Sequence, residues 1–192
     1  MKKIIFLALL LTSITAYSQT IQLGVKGGVN ISNYTGGNME TDALVGFHLG
    51  GFINFLAGDN FSIQPEVLFS SQGARYNDAG NKSNLKVSYI IVPVMAKIKF
   101  NGGFYVEVGP QVGFKAGEDA QIPNQTIDHF AKNLDLSIGA GLGYHGESGF
   151  GIGARYMAGL SKVGDFNISS IDPDFKNSVI QVSLFFTLFN NK

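Results

Sequence analysis

The connections between the strand-like segments of this chain alternate between long and short. Within the segments, apolar and polar residues alternate, which is the period of a half-buried strand. Long polar connections are predicted at residues 32–43, 73–84, 116–132 and 161–177, and short ones at residues 57–60, 101–103 and 146–149. In an up-and-down sheet, all the long connections then lie at one end, and the short ones lie at the other with both termini. This polarity is typical of bacterial outer-membrane barrels, whose long loops are extracellular and whose tight turns are periplasmic.

The same pattern predicts eight strands with two distinct faces. They are predicted at residues 21–31, 44–56, 60–72, 85–100, 103–115, 133–145, 149–160 and 178–190. Side chains alternate across a strand, so residues two apart share a face. In the fifth strand, Phe104, Val106 and Val108 share one face, and Tyr105 and Glu107 share the other. The charged residues of the strands fall on one face, so the other face is the candidate for contact with lipid.

Aromatic residues and the backbone both favour a barrel that spans a membrane. Aromatic side chains flank the short connections, as expected of a girdle at the membrane interface; they are Phe55, Phe61, Phe100, Phe104, Tyr144 and Phe150. Strands in a bilayer must close on themselves, because an open edge leaves backbone groups unpaired in hydrocarbon. The prediction is an all-β, eight-stranded antiparallel up-and-down transmembrane β-barrel.

Alternation alone also fits the reverse arrangement of the two faces. A soluble barrel has its apolar set inside and its charged set in water. The alternative is therefore a secreted soluble barrel that binds a small apolar ligand in its interior, as lipocalin-like folds do.

The first residues have the composition of an export signal. Lys2 and Lys3 precede the apolar run 4–11, and the small residues Ala16 and Ser18 follow. The run is too short for a membrane-spanning helix, which needs about 20 apolar residues. We expect residues 1–18 to be a signal peptide and residues 19–192 to form the outer-membrane barrel domain.

Composition excludes several classes of function. The chain has no cysteine, which excludes disulfides, a thiol nucleophile and cysteine-based metal sites. Its formal net charge is zero, so it lacks the basic surface that nucleic-acid binding requires. No catalytic residue, cofactor site or metal site is predicted, and the expected partner is the lipid of the outer membrane.

Charged residues on the inward face form the main candidate site. An eight-stranded barrel has an interior just wide enough for side chains to fill, and buried charges need partners. We expect Glu66, Glu107 and Asp135 to pair with basic residues and fill the lumen as a structural network. The basic members are Lys26, Lys97, Lys99 and Arg155. The alternative function of the same residues is a polar conduit for ions or protons.

Two weaker hypotheses concern other residues. The first is a divalent-cation site. The connection that holds His129 also holds Glu118, Asp119 and Asp128, whose oxygen ligands would favour calcium over zinc.

The second is a lipid-modifying enzyme, which would need a serine, a histidine and an orienting acid near one rim. Ser70, Ser71 and His48 are its candidates.

The long connections also carry apolar side chains. These residues either bind a protein partner, including secretion machinery, or pack together as an extracellular cap. They are Tyr34, Met39, Tyr76, Ile122, Ile127, Phe130, Ile168, Ile171 and Phe175.

Prolines interrupt three of the predicted strands. Pro65 and Pro110 share the apolar face, and Pro93 lies on the opposite one. Proline has no N–H to donate to a ladder, so we expect local irregularities at these positions.

Five short motifs together resemble the PorT-like outer-membrane β-barrel proteins of Gram-negative bacteria. They are Gly24-Val25-Lys26-Gly27-Gly28-Val29-Asn30, Tyr89-Ile90-Ile91-Val92-Pro93, Val106-Glu107-Val108-Gly109-Pro110, Gly139-Ala140-Gly141-Leu142-Gly143 and Ala154-Arg155-Tyr156. The resemblance implies an eight-stranded barrel without a defined activity, and its name-giving member is linked to the secretion and maturation of surface proteins.

Overall fold

The computed structural model describes residues 20–36, 41–78, 81–120, 131–164 and 175–190. The expected signal peptide, residues 1–18, lies outside these ranges. Among the described residues, no helix has the length and apolar character needed to cross a bilayer.

Eight antiparallel strands form a closed barrel in which each strand pairs with its neighbours in sequence and β1 pairs with β8. The strands are β1 (Ile21–Thr35), β2 (Thr41–Leu56), β3 (Phe61–Asp78), β4 (Asn81–Lys99), β5 (Phe104–Ala120), β6 (Leu134–His145), β7 (Phe150–Gly159) and β8 (Lys176–Asn190). A short 3-10 turn, Asn101–Gly103, joins β4 to β5. The predicted fold class is confirmed.

Several strands extend further toward the long-loop end than the sequence pattern predicts. Most of the predicted connection 73–84 is strand, because β3 continues to Asp78 and β4 begins at Asn81. Arg75 pairs with Asn84 in this extension, and its inward residues Ala74 and Leu85 are fully buried. Polar outward residues are stable there because the extension lies beyond the apolar belt and faces water.

The outer face of the barrel is apolar along every strand. Large exposed side chains include Val94 on β4, Val108 on β5 and Leu184 on β8. Of the six aromatic residues beside the short turns, five are exposed and Phe55 is half-buried. The inner face holds nearly all of the buried polar and charged residues. The apolar exterior and the charged interior contradict the alternative of a soluble barrel with an apolar ligand cavity.

Each of the three strand prolines lies at a gap in a hydrogen-bonded ladder. Pro65, Pro93 and Pro110 lie in the gaps between β2 and β3, β3 and β4, and β4 and β5, respectively. The register is the same on both sides of each gap, so the missing N–H removes pairs without displacing the strand. Register shifts, which mark bulges, lie elsewhere: between Leu23 and Gly24, Ala43 and His48, and Ser88 and Tyr89.

Candidate functional site

Five charged side chains meet inside the barrel and form what we call the lumen cluster: Lys26, Glu66, Lys97, Glu107 and Arg155. Arg155 connects the two carboxylates, since its Nη2 lies 2.8 Å from Oε1 of Glu66 and its Nε donates to Oε1 of Glu107 at 2.8 Å. Lys26 Nζ lies 3.1 Å from Glu66, and Lys97 Nζ lies 3.4 Å from Glu107. Each of the five residues is at most 7% exposed.

The lumen cluster ties distant parts of the barrel wall together. Its members come from β1, β3, β4, β5 and β7, so the contacts from Arg155 to Glu66 and Glu107 cross the lumen. Three cations and two carboxylates leave the cluster with a formal charge of +1. Burial of a charge costs several kcal/mol unless a partner and hydrogen bonds compensate for it, and here every member has at least one partner of opposite charge.

Two residues of the predicted network lie outside the lumen cluster. Lys99 is the last residue of β4 and is exposed at the short-turn end. Asp135 is the second residue of β6, at the loop end, where it is 4% exposed and accepts a hydrogen bond from Ser161 Oγ at 3.2 Å. Both residues share the inward parity of the cluster, but they stand at opposite ends of the barrel. Lys99 and Asp135 are separated from the lumen cluster by their height along the barrel axis, which the alternation of faces does not specify.

An aromatic layer lies between the lumen cluster and the short-turn end. Phe52, Tyr105 and Phe185 form a buried apolar group, in which the rings of Phe52 and Phe185 meet edge to face at 5.9 Å. Lys97 Nζ lies 4.3 Å from the centre of the Tyr105 ring, a distance at which a cation is attracted to the ring face. The aromatic layer therefore fills the lumen beside the cluster and also contacts one of its cations.

Inward-facing glycines make room for these large side chains. A β-carbon at Gly151 would overlap the ring of Phe185, and one at Gly24 would overlap the ring of Phe52. On β6, a β-carbon at Gly143 would lie 2.5 Å from the Tyr105 hydroxyl, and one at Gly139 would overlap Met157. The glycine-rich motif of β6 thus has a packing role, because it leaves space where neighbouring strands place bulky residues.

A hydrogen-bonded polar group occupies the lumen on the loop side of the cluster. Asn30 Nδ2 donates to the Phe47 carbonyl, to Ser70 Oγ and to the Ser71 carbonyl at 2.9–3.0 Å, which fixes its Oδ1 as an acceptor. His48 Nδ1 lies 2.7 Å from that oxygen and therefore donates to it. The other ring nitrogen, Nε2, lies 2.8 Å from Ser183 Oγ and accepts from it in the neutral imidazole.

This order of serine, histidine and amide resembles a nucleophile with its base and orienting group, but its setting does not suit catalysis. Ser183 is 3% exposed, His48 is 1% exposed and Asn30 is fully buried, so a lipid carbonyl has no access to Ser183 Oγ. Ser70 hydrogen-bonds to Asn30, and His48 contacts neither Ser70 nor Ser71 through its ring nitrogens. The rim site that the sequence suggested around these serines is not formed.

The chain matches a protein-family model described as an outer membrane protein beta-barrel domain over residues 17–165. It belongs to this family. The protein is therefore an integral outer-membrane β-barrel protein, and its apolar exterior faces lipid. No curated protein matches the sequence at a significant level.

Solved outer-membrane barrels share the fold at low sequence identity. Neisserial surface protein A aligns with a TM-score of 0.56 and 11% identity over 86% of this chain and 97% of its own. OprG from Pseudomonas aeruginosa aligns with a TM-score of 0.50 and 13% identity over 86% and 95%. Ail from Yersinia pestis aligns with a TM-score of 0.46 and 14% identity over 90% and 100%. The first two support the barrel fold.

At the loop end of this outer-membrane barrel, residues outside the strands pack into the mouth of the lumen. Ala131, Val163 and Phe175 join Tyr34 and Tyr89 in one buried apolar cluster, and the rings of Tyr34 and Phe175 lie 4.8 Å apart. Tyr34 and Phe175, the two members of the predicted loop set whose side chains are described, thus belong to a buried cap and not to an exposed surface. The Tyr76 side chain and the other members (Met39, Ile122, Ile127, Phe130, Ile168 and Ile171) lie outside the described residues.

Glu118, which the sequence pattern assigns to an acidic connection, lies in β5 and makes local contacts. Glu118 pairs with Lys115 at 3.2 Å and accepts a hydrogen bond from the Ala131 N–H at 3.0 Å. Asp128 and His129 lie outside the described residues. Among the described residues, no three histidine, aspartate or glutamate side chains are grouped as metal ligands.

A small cavity of about 40 Å³ lies at the short-turn end, beside Tyr105 of the aromatic layer. Lys97, Lys99, Gln22 and His145 are among its lining residues. A space of this size holds one or two water molecules. Lys99 also lines the open pockets at this end and is exposed to periplasmic solvent at the mouth of the barrel.

Sequence reasoning missed the aromatic layer and the hydrogen-bonded group around His48. Parity placed the inward face correctly, but it gave no reason to join Phe52, Tyr105 and Phe185, which come from three strands. The glycines could have predicted the aromatic layer. Gly151 and the motif at residues 139–143 mark places where a neighbouring strand inserts a large side chain.

Replacement of Glu66 tests the lumen cluster. Glu66→Gln keeps the shape of the side chain but leaves Lys26 without its carboxylate and raises the formal charge of the cluster to +2. We expect the free energy of unfolding in lipid vesicles, measured by urea titration, to fall by about 3 to 5 kcal/mol.

Lys99→Gln is the matched control, since it removes an exposed charge at the barrel mouth and should change stability by less than about 0.5 kcal/mol. Arg155→Gln combined with Glu66→Gln should cost less than the sum of the two single changes, because the partners are removed together. Additive losses would show that the two residues do not depend on each other.

Proposed function

We propose that this outer-membrane barrel is sealed and non-enzymatic, and that it acts through its loop end by binding a partner or by supporting the envelope or secretion. The filled lumen carries the proposal. The aromatic layer, the lumen cluster and the polar group around His48 succeed one another along the interior, and the cap closes the loop end. This filling disfavours a conduit for ions or protons and leaves the outer surfaces to carry the function.

A non-enzymatic role is supported by the burial of the chemically versatile residues. Ser183 and His48 lie within hydrogen-bonding distance of each other in the lumen. Both residues are buried, so the barrel wall encloses the pair. A hydrolase acting on lipid would need its nucleophile at the lipid face or at a rim. We therefore assign the pair a structural role: it satisfies polar groups that would otherwise be buried without partners.

A relationship to the PorT-like branch of outer-membrane barrels is part of the same proposal. The motif at residues 139–143 and the segment 154–156 support it, because they are among the five motifs that carry the resemblance. A link to secretion follows from the resemblance alone, as an analogy at the level of the family.

Planar-bilayer recording tests the sealed lumen. Protein folded in vesicles and fused to the bilayer should give no steady single-channel steps, because the aromatic layer and the lumen cluster block the path of hydrated ions. A general porin in the same membranes is the control for detection, and a heat-dependent shift in gel mobility verifies that the sample is folded. Reproducible unitary steps from the wild-type protein would contradict the proposal.

Shortening a loop tests whether the loop end carries the function. A variant in which residues 165–174 are replaced by a short Gly-Ser linker should fold and reach the outer membrane, because the described strands are retained. We expect it to fail to restore envelope integrity, measured as resistance to a large hydrophilic antibiotic, in a strain that lacks the protein. Gly-Ser in place of Asp59 and Asn60, in a turn at the opposite end, is the control and should restore it. Full restoration by both variants would remove the loop end from consideration.

We also propose that residues 1–18 are an export signal, cleaved after Ser18 to leave Gln19 as the first residue. The basic residues, the short apolar run and the small residues before the cleavage point support this. Intact-mass spectrometry of the protein from purified outer membranes should give the mass of residues 19–192. Retention of the leader in the membrane-inserted protein would refute the assignment.

A further inference from the structure

Two basic side chains point outward just beyond the apolar belt at the loop end. Arg75 lies on the extension of β3 and Lys86 lies on the extension of β4, and both are exposed. They share the outward parity of Phe69 and Ile90 on the same two strands. The lipid-facing surface therefore continues upward into a basic pair on adjacent strands.

Aromatic residues mark the level at which the apolar belt ends on this side. Phe47, Phe69 and Phe114, on β2, β3 and β5, are exposed next to Ile90, and the rings of Phe47 and Phe69 lie 5.7 Å apart. Such belts lie at the boundary between hydrocarbon and headgroups. Lys86 is four residues beyond Ile90, about 13 Å along a strand that is tilted in the membrane. The headgroup region is about 5 to 8 Å thick, so a long basic side chain at Lys86 reaches back into it.

The register of β3 and β4 places the two cations side by side. Arg75 pairs with Asn84, and Lys86 pairs with Gly73. Arg75 and Lys86 are therefore diagonal neighbours on one face, with Cα atoms about 7 to 8 Å apart. Gly73, between them on β3, has no side chain to fill the intervening space. A guanidinium and an ammonium at this separation can contact the same tetrahedral anion from two sides.

One acidic residue stands opposite each member of the basic pair without forming an ion pair with it. Asp42 is opposite Arg75 across the β2–β3 ladder, and Asp119 is opposite Lys86 across the β4–β5 ladder. All four side chains are exposed. Within the described part of the chain, neither Arg75 nor Lys86 forms an ion pair with these acids. The two cations are thus available to a ligand at the membrane surface.

We propose that Arg75 and Lys86 together bind a phosphate group on the headgroup of an outer-leaflet lipid. The site continues the interface with lipid hydrocarbon, since it stands directly above the aromatic belt on the same strands. Negatively charged headgroups attract basic side chains at this level. The inference depends on the membrane location of the barrel and is independent of the role proposed for its loops.

The test uses the full barrel folded in phosphatidylcholine vesicles with and without a minor fraction of lipid A, whose sugars carry phosphate groups. Lipid A should lower the unfolding equilibrium constant of the wild-type protein, measured by urea titration, by about fivefold, as expected for two exposed ionic contacts. Arg75→Gln with Lys86→Gln should abolish this difference. High salt should reduce it in the wild-type protein, because exposed charges are screened.

Matched controls separate a phosphate site from general attraction to the membrane. Lys132→Gln with Lys176→Gln removes the same charge from exposed positions elsewhere at the loop end, and it should leave the effect of lipid A intact. Dephosphorylated lipid A should have no effect, and neither should inorganic phosphate added to neutral vesicles. The proposal is overturned if the Arg75/Lys86 variant responds to lipid A as the wild-type protein does, if the control pair loses the response, or if dephosphorylated lipid A or free phosphate reproduces it.

Discussion

Backbone hydrogen bonding in hydrocarbon is the constraint from which the rest of this structure follows. Every N–H and C=O group within the bilayer needs a partner in the protein, and strands meet this need only in a closed barrel. The chain achieves closure by pairing β1 with β8 along most of their length. Closure then divides all side chains into those that face lipid and those that face the lumen. Since lipid excludes charge, the charged residues of the spanning strands must occupy the interior.

The narrow interior determines how those charges are arranged. In a lumen with no room for bulk water, a charged residue without a partner would be strongly destabilising. Arg155 supplies a partner to carboxylates on two other strands, Glu66 and Glu107. Lys26 also contacts Glu66, and Lys97 also contacts Glu107. The narrow interior also constrains the aromatic layer. The rings of Phe52 and Phe185 fit because Gly24 and Gly151, which face them, have no β-carbon.

The sequence specifies which face a residue occupies but not its height in the barrel. Alternation therefore predicted the strands and their inward charges, because parity is a local property that propagates along each strand. It failed to separate Asp135 and Lys99 from the lumen cluster, since their heights depend on how the register advances around the ring of strands. The predicted loop at residues 73–84 was wrong for a related reason. Polar residues outside the belt resemble a connection in sequence, although strands that rise above the bilayer carry polar outward faces and still bury residues such as Leu85.

The two ends of the barrel differ in how much protein extends beyond the membrane. At the short-turn end, tight connections leave little protein beyond the aromatic girdle, and Lys99 is exposed at the mouth of the lumen. At the opposite end, β3, β4 and β5 rise past the belt, and Ala131, Val163 and Phe175 anchor the adjoining segments in the lumen mouth. A loop held at its base by a buried cap is presented by a rigid scaffold, so fewer conformations must be lost when a partner binds. The same rise lifts Arg75 and Lys86 clear of the hydrocarbon, to a level where a strand can carry exposed charge at low cost.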